Sequence, residues 1–311
     1  RPANRPHSET YLTTAAAGRV RLFNDTLPLA EADPAAGACA ERARLGEWTP
    51  TFEWPMVAIH TSVLPDGKVL TFGRSGDPQV FDPVARTFTP VPAPAHVFCS
   101  GHSFLPDGRL LATYYGIRDA HIFDPVARTW TRVADMARGR WYPSNVTLAN
   151  GEVLTIAGTD EEAKQVTIPE VWQANGTWRR LTYASRTLPY YPWTFVAPNG
   201  RVFVAGPSRT SRFLSTAGRG AWYTGPTMKY DYTRSYGAAV MYETGKVMIV
   251  GGSGTSSRLP SATAELIDLN ASTRAWAYTG KMAFRRRQLN ALVVPTGEVI
   301  VTGGTGGLGF N

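Results

Sequence analysis

The sequence predicts an all-β fold built from repeated units, and three observations support that prediction. The 311-residue chain is rich in Gly (30 residues) and Pro (23 residues), a composition that favours strands and turns over helices. Hairpin-type turns recur along the chain, and the apolar runs that follow them resemble one another. With 43% hydrophobic and 18% charged residues, the chain has the composition of a globular protein rather than a disordered one.

Six turns share a glycine at a nearly constant spacing of 41, 43, 49, 45 and 52 residues. Asp-Gly and Asn-Gly turns tolerate positive φ and join adjacent strands into hairpins. A period of about 40–50 residues with a hairpin, a Gly pair and a later aromatic residue is typical of kelch-type β-propeller blades. The turn glycines are Gly67, Gly108, Gly151, Gly200, Gly245 and Gly297.

The repeats divide the chain into two regions. Residues 1–50 show no clear period and are predicted to form an N-terminal arm, whereas residues 51–311 are predicted to form an incomplete propeller. Five full units are followed by a sixth that stops after Gly303-Gly304, so about five and a half blades are present. Three explanations remain open: the chain is a fragment, another polypeptide completes it, or its ordered part ends there.

Charge and apolarity restrict the classes of partner. The net charge is +8, but the arginines are scattered apart from the run Arg285–Arg287, and no recognised nucleic-acid motif accompanies them. A basic, solvated surface is therefore favoured over nucleic-acid binding. No apolar run approaches the ~20 residues that a membrane helix needs. The chain shows no initiator Met and no signal-peptide pattern, which indicates a mature form or a fragment.

Cys99 and Tyr142 are the residues that point to chemistry. Phe98-Cys99-Ser100 and Arg140-Trp141-Tyr142 stand at the same point of two successive units, just ahead of an apolar run that ends in a Gly-centred turn. If neighbouring units stack around an axis, the thiol and the phenol can face one another. The ordinary alternatives are a buried small residue for Cys99, a packing role for Tyr142, and a disulfide between Cys39 and Cys99.

With these motifs and repeats, the sequence from about Gly46 to Asn311 resembles the copper radical oxidases, the group of galactose oxidase and glyoxal oxidase. It is most similar to the bacterial glyoxal-oxidase-like branch. The resemblance implies a seven-bladed propeller in which a thioether joins Cys99 to Tyr142, and Tyr142 binds copper and holds a radical. It also implies a secreted enzyme that oxidises small aldehydes or primary alcohols with O2 and releases H2O2.

The sequence departs from the family pattern in two respects. The family's Tyr-His dipeptide and a further His ligand are absent, and they belong to blades after the point where this chain stops. Gln288 stands where the bacterial branch has a Trp over the cross-linked tyrosine. Trp141 and Trp193 also lie at unit starts, where packing between blades is the favoured role, and His60 and His102 are expected to make structural hydrogen bonds.

Two alternatives follow from these departures. The chain is either a non-catalytic kelch propeller that binds a protein or an acidic polysaccharide through an exposed Arg285–Arg287 run, or a subunit whose missing blades come from a partner chain.

Overall fold

The computed structural model describes residues 11–16, 19–22, 50–114 and 117–309. These residues form strands, turns and irregular segments, so the predicted all-β class is confirmed. Within these ranges, no helix has the length and apolarity needed to cross a bilayer.

The chain forms short antiparallel strands. The first twelve are β1 (Tyr11–Ala16), β2 (Arg19–Leu22), β3 (His60–Val63), β4 (Val69–Phe72), β5 (Gln79–Asp82), β6 (Thr87–Pro90), β7 (Gly101–Phe104), β8 (Leu110–Thr113), β9 (Ala120–Asp124), β10 (Thr129–Val133), β11 (Ser144–Thr147) and β12 (Val153–Ile156). The rest are β13 (Glu170–Trp172), β14 (Trp178–Arg180), β15 (Trp193–Val196), β16 (Val202–Gly206), β17 (Thr210–Ser215), β18 (Ala221–Thr227), β19 (Ala238–Glu243), β20 (Lys246–Val250), β21 (Ala264–Asp268), β22 (Ala277–Tyr278), β23 (Arg287–Val293) and β24 (Val299–Thr305).

The described strands build six four-stranded sheets, here called blades. Blades 1 to 5 each consist of four consecutive strands, β3–β6, β7–β10, β11–β14, β15–β18 and β19–β22. The second strands of blades 2, 3 and 4 are buried along their whole length. They lie between neighbouring sheets, which explains why they appear in the sequence as continuous apolar runs rather than alternating ones. The β-propeller prediction is confirmed.

Blade 6 combines the two ends of the described chain. Strands β23 and β24 form a hairpin, and β1 pairs with β24 so that Tyr11 lies opposite Val301 and Thr13 lies opposite Val299. Strand β2 pairs with β1 and completes the sheet. Both added strands come from the region predicted as an N-terminal arm. Much of residues 1–50, Cys39 included, lies outside the described residues, so the boundary at residue 50 stays a prediction.

Apolar clusters join each blade to the next, from blade 1 through blade 6. At the two ends of this series, apolar side chains are exposed: Val63 of blade 1 is 68% exposed and Leu292 of blade 6 is 46% exposed. The predicted seventh blade is not among the described residues and stays a prediction.

The arginine run before blade 6 corrects one expectation. Arg286 and Arg287 are only 7% and 0% exposed. The Arg286 Nη1 donates to the carbonyl oxygen of Gly303 at 2.8 Å, and the Arg287 Nη2 donates to that of Gly307 at 2.5 Å. Both guanidinium groups therefore donate hydrogen bonds to backbone carbonyls. Among the three arginines of the run, only Arg285 is exposed. The prediction that all three arginines are exposed is therefore wrong, and binding to an acidic polysaccharide stays a prediction.

Candidate functional site at the propeller axis

A left-handed backbone conformation recurs near the start of one strand in each of blades 2 to 6, namely β7, β11, β15, β19 and β23. At this point each of these blades has a non-glycine residue with positive φ, a conformation that costs about 1–3 kcal/mol and is concentrated at functional sites. The five residues are Cys99 (58°), Tyr142 (64°), Tyr191 (46°), Tyr236 (56°) and Gln288 (55°). The same strained position therefore recurs in five successive blades.

Backbone hydrogen bonds connect these residues from blade to blade. The amide of Tyr142 donates to the carbonyl oxygen of Cys99 at 3.1 Å, and the amide of Tyr191 donates to that of Tyr142 at 3.0 Å. The amide of Gln288 donates in the same way to Tyr236 at 2.7 Å. These three hydrogen bonds join blade 2 to blade 3, blade 3 to blade 4 and blade 5 to blade 6 at the positions of the left-handed residues.

All five residues line one open cavity of about 890 Å³. The structure therefore brings together the three residues that the sequence singled out, Cys99, Tyr142 and Gln288, and adds Tyr191 and Tyr236. Close approach of blades 2 and 3 beside the cavity depends on Gly101, because a Cβ at that position would lie 2.6 Å from the Asn145 Oδ1.

Cys99 and Tyr142 interact directly. Burial, followed by a hydrogen-bonding contact with the Cys99 thiol, raises the pKa of Tyr142 to about 12. Cys99 carries a free thiol and is only 3% exposed. The thiol and the phenol thus meet at the wall of the cavity.

Aromatic rings enclose Tyr142. The Trp141 ring stacks on it, with ring centroids 4.7 Å apart and planes 15° from parallel, and the Tyr190 ring centroid lies at 5.2 Å. Trp193 instead wedges between blades, where a Cβ on Gly237 would lie 3.2 Å from its ring. Packing between blades, the role favoured from the sequence, describes Trp193, whereas Trp141 covers the ring of Tyr142.

A buried ion pair fixes the backbone just before Tyr142. The Arg140 Nη2 lies 2.9 Å from the Glu170 Oε1, and the two side chains are 0% and 2% exposed. Arg140 also donates to the carbonyl oxygens of Ala157 and Ile168, and Glu170 accepts from the amide of Ala137. These hydrogen bonds offset part of the cost of burying the two charges, and they hold the neighbouring backbone in place.

His60 and His102 lie in the cavity wall, with ring centroids 5.4 Å apart. Burial, together with the charge of His102, lowers the pKa of His60 to about 3, and burial lowers that of His102 to about 4. The Ser62 Oγ lies 3.2 Å from the His102 Nδ1. Both imidazoles are therefore neutral near pH 7, and His102 makes the kind of structural hydrogen bond predicted for it.

Sequence reasoning missed Tyr191 and Tyr236. A signal for Tyr191 was present, because Tyr190-Tyr191-Pro192 matches Trp141-Tyr142-Pro143 as an aromatic residue followed by Tyr-Pro in the next unit. Tyr236 follows Arg234 by two positions, just as Tyr142 follows Arg140.

Comparisons with known proteins agree with this fold. Residues 76–310 match the family model "Glyoxal oxidase N-terminus". Galactose oxidase of Gibberella zeae is 27% identical over 317 residues, covering 87% of this chain and 46% of the relative. A copper-bound fungal alcohol oxidase of the AA5 family superposes with a TM-score of 0.73 at 21% identity, covering 83% of this chain and 61% of that structure.

The chain therefore belongs to the glyoxal oxidase N-terminal family, within the copper radical oxidases. The predicted family resemblance is confirmed. The chain spans about half the length of the curated relatives that it matches, 46%.

The donor atoms at the cavity fit copper only in part. Cu(II) prefers nitrogen and oxygen donors in a tetragonal arrangement. Tyr142 offers one phenol oxygen in an open cavity, and its direct contact with a free thiol is the pairing expected for the family's modified tyrosine. The sequence contains no Tyr-His dipeptide. Tyr142 therefore offers one donor oxygen of the kind that a Cu(II) site uses.

Proposed function

We propose that this chain forms the Cys–Tyr part of a copper radical oxidase that oxidises small aldehydes or primary alcohols with O2 to give H2O2. One observation carries the proposal: the Cys99 thiol contacts the Tyr142 phenol inside an open axial cavity, beneath the stacked ring of Trp141. Family membership supports the cofactor class, and the substrate class follows from the resemblance.

The chain's own residues have distinct tasks. Tyr142 must lose its proton to act as a ligand, and its raised pKa keeps the phenol protonated until a metal displaces the proton. Copper, when bound, would supply one of the two one-electron acceptors of the oxidation, and the radical form of the cross-linked Tyr142 would supply the other. Trp141 shields one face of the phenol ring from water, and Gln288 offers the cavity an amide that can hydrogen-bond to a substrate oxygen.

The cross-link requires an oxidant. Forming a bond between the Cys99 Sγ and a ring carbon of Tyr142 breaks one S–H bond and one C–H bond. Two protons and two electrons leave, and O2 accepts them as H2O2.

The proposal includes three further features of the whole protein. It is a secreted kelch-type propeller, and the exposed sequon residues Asn175 and Asn270 are available for glycosylation in a host that glycosylates. Its seventh blade would cover the exposed apolar faces of blades 1 and 6. The remaining copper ligands would come from a C-terminal segment or from a second chain.

The test measures bound copper and H2O2 release by the intact protein with a panel of small aldehydes and primary alcohols. We expect about one copper per chain and substrate-dependent peroxide, both lost in Tyr142→Phe. A protein that binds no copper and releases no peroxide with any member of the panel would contradict the proposal.

A further inference from the structure

We propose that Tyr191 is a positioning residue that holds the Cys99 side chain against the ring of Tyr142, so that the two can be joined. This inference rests on the proposed function and assigns a task to a tyrosine of the next blade.

Tyr191 contacts Tyr142 and the backbone next to Cys99. Its ring stands edge-on to Tyr142, with centroids 5.2 Å apart and planes at 72°. Its hydroxyl group reaches the carbonyl oxygen of Ser100, the residue directly after Cys99, at 3.5 Å. Its amide donates to the carbonyl oxygen of Tyr142 at 3.0 Å. Movement of Tyr142 or of the backbone at Cys99 would therefore disturb a contact with Tyr191.

Cys99 lies within reach of both phenols. Its thiol makes hydrogen-bonding contacts with the hydroxyl group of Tyr142 and with that of Tyr191. The Tyr191 hydroxyl is therefore placed to restrain the thiol directly.

Positioning affects the covalent step because the Cys99 Sγ must approach one ring carbon of Tyr142 while its S–H and the ring C–H are lost to O2. A thiol free to adopt other rotamers spends less time in contact with that carbon. A restraint from Tyr191 increases the fraction of molecules that are ready to react, without taking part in the electron transfer.

Tyr190 offers a matched control. Its ring centroid also lies 5.2 Å from that of Tyr142, but its side chain is 47% exposed. Tyr190→Phe therefore removes a hydroxyl group at a comparable ring distance, on the solvent side of the pair.

The experiment starts with metal-free, reduced intact protein and has two readouts. The first is the rate at which iodoacetamide alkylates Cys99 without copper, and the second is the rate at which a reduction-resistant Cys99–Tyr142 peptide forms after copper and air are added. For Tyr191→Phe we expect alkylation to be several-fold faster and cross-linking about tenfold slower, as loss of one hydrogen bond would give. Tyr190→Phe should match the wild type in both.

Each outcome distinguishes the inference from the proposed function. The positioning role would be overturned if Tyr191→Phe were alkylated and cross-linked at wild-type rates. It would also be overturned if the wild-type protein joined Cys99 to Tyr191 instead of Tyr142. If wild-type protein forms no cross-link with copper and air, the proposed function fails, while the copper-free alkylation rates still test the contact between Tyr191 and Cys99. Thermal unfolding of each variant shows whether the fold is intact, and a partial loss of stability without a change in either rate counts against the inference.

Discussion

Blades 3 and 5 carry the same scaffold at the axis but different chemistry. In blade 3, Arg140 pairs with buried Glu170 and Tyr142 follows two residues later; in blade 5, Arg234 pairs with buried Glu265 at 2.8 Å and precedes Tyr236 by two residues. Both tyrosines have positive φ.

The neighbours of the two tyrosines differ. Tyr142 faces the Cys99 thiol and is stacked by Trp141, whereas Tyr236 follows Ser235 and is 53% exposed. Trp141 and Ser235 occupy the same place, since each forms an isolated bridge to the following hairpin, Trp141 with Thr159 and Ser235 with Ser253.

The repeat thus places a tyrosine at the same position in both blades, and the residues around each tyrosine determine what chemistry it can take part in. A buried Arg–Glu pair and a left-handed residue bring a side chain to the axis in either blade. Of the two tyrosines, only Tyr142 lies beside both a thiol from the preceding blade and the ring of the preceding residue. Those are the surroundings that the proposed Cys–Tyr cofactor needs.

The largest contrast should appear in activity. Tyr142→Phe should abolish peroxide formation, a loss of about a thousandfold or more, because it removes the phenol oxygen that both binds the metal and is oxidised. Tyr236→Phe should retain most of the activity. A peroxidase-coupled assay after the same exposure to copper measures both, and equal losses in the two variants would remove the distinction between the blades.

The shared scaffold should show equal effects on stability. Arg140→Leu and Arg234→Leu each leave a buried carboxylate without its partner, which should lower the free energy of unfolding by about 3–5 kcal/mol. The double variant Arg140→Met/Glu170→Leu should recover most of that loss, since no unpaired charge remains. Urea unfolding gives the values, and a large effect in one blade only would contradict a common scaffold.

Acid should lower the free energy of unfolding, because two histidines in the cavity wall are buried in their neutral form. His60 and His102 have lowered pKa values of about 3 and about 4, so the unfolded chain takes up protons near pH 6.5 before the folded chain does. Stability should therefore fall as the pH drops from about 6.5 toward 4, by up to about 1.4 kcal/mol per pH unit for each histidine. Urea unfolding across this range gives the free energy of unfolding at each pH. Its dependence on pH should be shallower for His102→Gln than for the wild type, and an unchanged dependence would contradict burial of a neutral imidazole.

Exchanging the residues before the two tyrosines should give the smallest effect. Trp141→Ser exposes the Tyr142 ring, so the pKa of Tyr142 should fall from about 12 toward its ordinary value near 10. Ultraviolet titration reports it when each protein is compared with its Tyr142→Phe counterpart, which removes the signal of the other tyrosines. Ser235→Trp is the reciprocal control and should leave the pKa of Tyr142 in place.

The blades could be predicted from the sequence because hairpin turns and apolar runs are local signals. Strands β1 and β2 could not, since residues 11–22 show no repeat and the pairing of β1 with β24 joins opposite ends of the chain. The Cys99–Tyr142 contact followed from the matched positions of the two residues. The burial of Arg286 and Arg287 did not, because backbone carbonyls, invisible in a sequence pattern, accept their hydrogen bonds.

The stacking of Trp141 was missed for a related reason. Adjacent residues on a strand point to opposite faces, so a sequence pattern does not suggest that residues 141 and 142 stack. The positive φ of Tyr142 changes that rule locally. Positive φ is expected at glycine and is not announced by tyrosine, cysteine or glutamine, so the five-blade series could be found only in the structure.

The most direct test of the central claim is peptide mapping of the intact protein after exposure to copper and air, under full reduction. The account predicts a peptide pair joined through Cys99 and Tyr142 that is two hydrogens lighter than the separate peptides and survives reduction. A Cys99 that is fully alkylated after reduction, whether it was a free thiol or part of a disulfide, would contradict the claim and leave the axial cavity without its cofactor.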